Sequence, residues 1–157
     1  MLLKNVVDED ICNYKKTSMF IAFPYCTFKC EKDCGIQCCQ NSPLVKALNI
    51  EFPAESIVNR YINNSLTHAI VCGGLEPLDS FDDLITFIDL LRQKTDDDCI
   101  IYTGYFKSEI LDKIEKLQNY KNIIMKYGRY VPGQESHYDE LLGIKLANKE
   151  QYAEKIS

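Results

Sequence analysis

The 157-residue sequence predicts one α/β domain built on parallel strands. Three observations carry that expectation. Short β-branched and aromatic runs alternate with helical stretches, the pattern of βαβ units. The composition, 46% hydrophobic and 26% charged, is that of a globular chain with a buried core. The length suits a single domain over residues 1–157, and falls short of the about 250 residues of a complete (β/α)8 barrel.

The first predicted strand covers 17–23, TSMFIAF, and ends at Pro24. Residues 24–43 follow as a long cysteine-rich loop with no sustained apolar period. A helix is expected from about Pro53 to Ile62, since proline suits the first helical position, where its missing N–H would have had no partner. The run HAIVC at 68–72 reads as a second strand entering the Gly73-Gly74 turn. Ser80 reads as an N-cap, with Asp83 as a short version of the capping-box acid. The helix behind it sets Phe81, Leu84, Ile85, Phe87, Ile88 and Leu91 on one apolar face. A third strand, CIIY at 99–102, closes on Thr103-Gly104. Ile110, Leu111, Ile114 and Leu117 mark the next helix, and Ile123-Ile124-Met125 a fourth strand. Beyond Tyr127 the pattern is less regular.

Charge and hydropathy exclude several functions. A net charge of −5 gives no basic footprint for nucleic acid. There is no 18-residue apolar run for a membrane-spanning helix, and the N-terminus MLLKNVVDEDIC lacks the core of a signal peptide. The expectation is a soluble cytoplasmic protein. In that compartment thiols stay reduced, and clustered cysteines point to metal or redox chemistry rather than disulfides. The run Asp96-Asp97-Asp98 reads as a solvated turn, and His68 and His137 carry no assigned role.

Five of the eight cysteines fall in one stretch, as Cys26, Cys30, Cys34, Cys38 and Cys39. Thiolates are soft ligands for zinc or for iron–sulfur clusters, and the loop alone favours neither. Cys12, Cys72 and Cys99 are expected to be inert, the last two as small buried hydrophobes in strands. Ligands of α/β folds gather at the C-terminal ends of the strands. Segments 24–41, 73–78, 103–105 and 127–130 all follow such ends and should line one site.

CxxxC directly after the first strand, with a Gly-Gly turn after the second, resembles the radical S-adenosylmethionine superfamily. Within it the chain is most similar to the activating proteins of anaerobic ribonucleotide reductase. The matching pieces, in the family's order over residues 17–130, are Cys26-TFK-Cys30, Cys39-Gln40-Asn41, Gly73-Gly74-Leu75-Glu76-Pro77-Leu78, Tyr102-Thr103-Gly104-Tyr105 and Gly128-Arg129-Tyr130. The resemblance implies an incomplete βα barrel with helices outside and a wide lateral opening. It implies that a loop at about 24–42 holds a [4Fe–4S] cluster on three cysteines. Cys26 and Cys30 take the first two places. The family's third place falls on Asp33 here, so the third ligand is Cys39, followed like the family's by x-Asn, with Cys34 as the alternate and Cys38 behind it.

The same resemblance implies S-adenosylmethionine as second cofactor, near Gly73, Gly74, Glu76, Pro77, Thr103 and Asn41, with Tyr25 or Phe28 beside the adenine. Leu75 is an extra residue in the turn, and Lys126 and Tyr127 stand where the family tends to be acidic. The implied activity is reductive cleavage of S-adenosylmethionine to generate a glycyl radical on a partner enzyme. Anaerobic ribonucleotide reductase would be that partner, and a small protein would donate the electron. Two other readings stand beside it: the same cofactor chemistry on another protein or a small molecule, and a non-catalytic zinc-binding interaction module.

Overall fold

The computed structural model describes residues 1–157. The chain opens with strand β1 (Leu2–Leu3) and strand β2 (Asn5–Asp10), and β2 pairs antiparallel with β3 (Ser18–Phe23). Helices α1 (Lys29–Cys34) and α2 (Ser42–Lys46) follow, then a short strand β4 (Ile50–Glu51) that pairs with β1. Helix α3 (Ala54–Ile62) leads to strand β5 (Ala69–Gly74), and α4 (Phe81–Arg92) to β6 (Asp98–Tyr102). Helix α5 (Leu111–Leu117) leads to β7 (Ile123–Tyr127). The C-terminal part adds the hairpin β8 (His137–Asp139) and β9 (Ile144–Leu146), and β10 (Tyr152–Lys155).

The central sheet has six strands in the order β10-β7-β6-β5-β3-β2. The inner four, β3, β5, β6 and β7, are parallel, as the alternating pattern predicts. Each successive parallel strand is added on the same side of the last, so crossovers of one hand put α3, α4 and α5 on one face. Ile57, Val58 and Tyr61 of α3, Leu84, Phe87, Ile88 and Leu91 of α4, and Ile114 and Leu117 of α5 bury there against Met19, Ile21, Ile70, Ile101 and Met125. The sheet does not close into a barrel: β2 and β10 run antiparallel along its two edges.

The opposite face is not left open. Leu142 and Leu146, from the β8–β9 region, pack with Tyr14 on Ala69, Val71, Ile100 and Ile124. The expected lateral opening is therefore corrected. Apolar residues stood on both faces of the central strands, and each face needed a cover. The outward side chains of β5, β6 and β7 recruited the irregular segment after Tyr127 for theirs.

Several local expectations also change. The long loop contains α1, whose C-cap Gly35 adopts φ +70°, and runs into α2. Pro53 sits at the N-cap of α3, one residue before the first helical position. Ser80 occupies the N-cap of α4 but makes no capping bond; a 3-10 turn over Pro77–Ser80 precedes the helix, and Glu76 caps that turn by accepting the Leu78 N–H at 3.2 Å. Leu111 is exposed, leaving Ile110, Ile114 and Leu117 to the core. The three aspartates at 96–98 are not simply solvated. Asp96 pairs with Lys121, Asp97 accepts from Tyr61 Oη at 2.7 Å, and Asp98 accepts from Tyr14 Oη at 3.0 Å and pairs with Lys16. No helix is long and apolar enough to cross a membrane.

Candidate metal centre

All four segments that follow the parallel strands meet in one cavity of about 360 Å³ at that sheet edge. Its wall includes Cys26, Cys30 and Cys39 from the cysteine-rich loop, Gly74 and Glu76 beyond β5, and Thr103 and Gly104 beyond β6. Gly128 and Tyr130, beyond β7, complete that side. The parallel arrangement is the cause. Every strand ends at the same level, so every following turn faces the same space.

The loop is shaped around its first two cysteines. Phe28 holds φ +53°, a left-handed conformation that costs a residue with a side chain roughly 1–2 kcal/mol. That kink points the Phe28 N–H at Cys26 Sγ, 3.2 Å away, and starts α1 so that Cys30 lies in its first turn. Asp79 secures the kink from outside by accepting the Thr27 N–H at 2.7 Å and the Tyr105 hydroxyl at 2.6 Å. Cys39 arrives on a separate turn, its N–H donating to Glu31 Oε1 at 3.0 Å. Burial pushes the Cys26 thiol up to about 12, with the Glu76 and Asp79 carboxylates and Cys30 adding to the effect. Burial raises the Cys39 thiol too, with Glu31 and Cys30 contributing. Both are thiols in the free protein, and iron binding would release their protons.

Cys34 and Cys38 stand apart from that wall. Their sulfurs lie 3.0 Å from one another, outside the cavity lining. The loop thus sorts into three cavity thiols and one external pair. No three His, Cys, Asp or Glu side chains converge on a single mononuclear metal position. In a cluster each thiolate binds a different iron, so its thiolates are spread around a larger body than one ion. Asp33, at the place where a cysteine was expected, accepts from Arg129 Nε at 2.8 Å and ties α1 to the end of β7.

Glu76 is the cavity's buried carboxylate. It is 3% exposed, accepts the Gly104 N–H at 2.8 Å and the Leu78 N–H, and burial pushes it up to about 7. The extra Leu75 is accommodated within the turn: the Glu76 N–H donates to Tyr25 O at 2.8 Å and the side chain still faces the cavity. Gly74 needs its missing side chain, because at φ +86° a Cβ would lie 2.7 Å from Ala22 Cα. Asn41 Nδ2 donates to Gly74 O at 2.6 Å, joining the end of the cysteine loop to the end of β5. Thr103 lines the cavity, and its Oγ1 accepts the Tyr105 N–H. Gly73 lies instead beneath the Phe20 ring, and Pro77 opens the 3-10 turn; neither lines the cavity. Tyr25 is half exposed and Phe28 lies off the cavity lining.

The cavity also holds residues that sequence reasoning did not assign to it. Lys126 is 8% exposed, and burial lowers its ammonium to about 8, with Cys30 and Glu76 pulling it back up. A lysine in the otherwise apolar strand IIMKY was the available signal. Cys12, read as inert, borders the cavity, and Cys72 and Cys99 are fully buried as expected. Ile144, Lys145, Leu146 and Gln151 also line the cavity. Their assignment depends on the C-terminal hairpin folding back, which no local pattern announces.

A family model described as a 4Fe–4S single cluster domain matches residues 15–149. No curated protein and no solved structure matches the chain.

Proposed function

The chain belongs to the 4Fe–4S single cluster domain family, and from that premise we propose that it is a radical S-adenosylmethionine enzyme of the glycyl-radical-activating type. The observation that carries this reading is the shared cavity: three thiols of the cysteine-rich loop, a buried carboxylate and the strand-end turns face the same space. The donor set suits the group. The three loop thiols of the cavity, Cys26, Cys30 and Cys39, would hold three irons of a [4Fe–4S] cluster and leave the fourth without a loop cysteine.

When bound, the cluster supplies the single electron that cleaves the sulfonium of S-adenosylmethionine to methionine and a 5′-deoxyadenosyl radical. The chain's own residues bind and orient. Glu76 offers a buried carboxylate for the methionyl ammonium, a partner that its burial makes favourable. Gly74 is held at the wall by the Asn41 bond to its carbonyl, and Thr103 lines the cavity from the turn after β6. The Cys30 sulfur lies against the turn after β6: an added Cβ on Gly104 would stand 3.3 Å from it. Lys126 adds a buried cation to the same wall.

The partner in this reading is a glycyl-radical enzyme, with anaerobic ribonucleotide reductase the nearest type, and a small electron-transfer protein as donor. The second reading, a small-molecule substrate, is favoured by one observation: Ile144, Lys145 and Leu146 of the C-terminal hairpin add to the cavity wall and leave less room for a protein loop. The test is direct. Anaerobically reconstituted, dithionite-reduced protein mixed with S-adenosylmethionine should release 5′-deoxyadenosine and methionine. Absence of both from iron-loaded protein would refute the proposal. Appearance of a glycyl radical signal on an added partner separates the first reading from the second.

A further inference from the structure

Two of the loop's thiols have no part in the cavity. Cys34 ends α1, and the chain reverses at Gly35, whose φ is +70° and around which there is open space. Residues 35–37 are exposed, and the turn brings Cys38 back beneath Cys34. The two sulfurs stand 3.0 Å apart and are half-buried, while their immediate surroundings are solvent-facing. A sulfur–sulfur bond needs about 2.05 Å, so closure asks for a movement of about 1 Å within a short turn that starts at a glycine.

We propose that Cys34 and Cys38 form a dithiol–disulfide exchange site, distinct from the cluster cavity, that reacts with low-molecular-weight disulfides. The step balances as ordinary exchange. One of the two thiols gives up its proton and attacks a sulfur of the external disulfide, and the first external thiolate leaves and takes up that proton. The other cysteine then attacks the mixed disulfide, closes the Cys34–Cys38 bond and releases the second thiol. The pair loses two electrons and two protons, and the external disulfide gains them. Nothing else in the loop needs to move: Cys26 and Cys30 are held by the Phe28 kink and α1, and Cys39 by its bond to Glu31. The site lies one residue from Cys39, so the redox state of the surrounding thiol pool is read next to the cavity.

The test uses the full chain under anaerobic conditions, equilibrated in graded mixtures of reduced and oxidised glutathione, quenched by alkylation and mapped by peptide mass spectrometry. The expected product is a Cys34–Cys38 disulfide formed in one two-electron transition. The same transition, within about twofold in its equilibrium constant, is expected in the Cys26→Ala/Cys30→Ala/Cys39→Ala variant and in iron-loaded wild type. Three outcomes overturn the proposal: alkylation of both cysteines at every ratio, disulfides that join either one to Cys26, Cys30 or Cys39, or loss of iron from a Cys34→Ala/Cys38→Ala variant. None of these readouts depends on S-adenosylmethionine cleavage, so the exchange site and the proposed function fail separately.

Discussion

Replacing Glu109 with glutamine tests how the cysteine-bearing helix is anchored. Glu109 faces Arg129 in a two-pronged pair, Nη1 to Oε2 at 2.7 Å and Nη2 to Oε1 at 2.8 Å, and also accepts from Lys29 at 2.9 Å. Arg129, 5% exposed, reaches on to Asp33 of α1 and to the Gly104 carbonyl. The Arg129 guanidinium holds the Glu109 carboxyl down from 4.5 to about 2. At about 1.4 kcal/mol per pH unit, that depression has an upper bound of about 3.5 kcal/mol. Glu109 is 27% exposed, and solvent screening brings the expected loss in Glu109→Gln to about 1–2 kcal/mol at neutral pH.

The sign of the pH dependence follows from the lowered value. The contribution is complete above about 4.5 and is lost as pH falls through about 2. Urea unfolding at pH 7 should therefore show a midpoint for Glu109→Gln lower by roughly 0.5–1 M. The gap from wild type should narrow at pH 4 and narrow further at pH 3. Coincident midpoints at pH 7, or a gap of unchanged size at pH 3, would refute the ionic origin of the anchor.

Gly74→Ala forces a left-handed backbone on alanine and drives its Cβ into Ala22 across the β3–β5 pair, so a loss of about 2–5 kcal/mol is expected in thermal or urea unfolding. Asn41→Ala removes the bond to Gly74 O; it should cost about 0.5–1.5 kcal/mol and speed iron loss to a chelator, with no change in far-UV circular dichroism. Cys72→Ala leaves a small void in the fully buried β5 and should lower the unfolding midpoint while iron and sulfide content stay at the wild-type level.

The parallel core was legible because buried strands advertise themselves. SMFIAF, AIVCGG, DCIIY and IIMKY are dense in β-branched and aromatic residues, and the helices between them carry one-sided apolar stripes. The edge strands were not legible for the matching reason. NVVDED in β2 and YAEK in β10 are half polar, being exposed on one side, and only their pairing with β3 and β7 makes them strands. The hairpin over the second face escaped for the same reason, since its three-residue strands have too little pattern to read.

At the site, the strand ends and cysteine spacing located the cavity, because chain direction alone fixes where the turns must face. The sorting of five cysteines into two groups was a matter of loop conformation. Phe28 and Gly35, both at positive φ, decide which sulfurs face inward, and only for Gly35 does the residue type hint at it. Asp79 was invisible for another reason: its bonds to Thr27 and Tyr105 span long sequence separations.

The account stands most directly on which thiols hold the cluster. Iron and acid-labile sulfide should be measured in anaerobically reconstituted Cys39→Ala and Cys34→Ala proteins beside wild type. The cavity geometry predicts that Cys39→Ala loses most of both, while Cys34→Ala retains them at the wild-type level. Retention in Cys39→Ala together with loss in Cys34→Ala would contradict the three-thiol wall and move the third ligand to the other side of the loop.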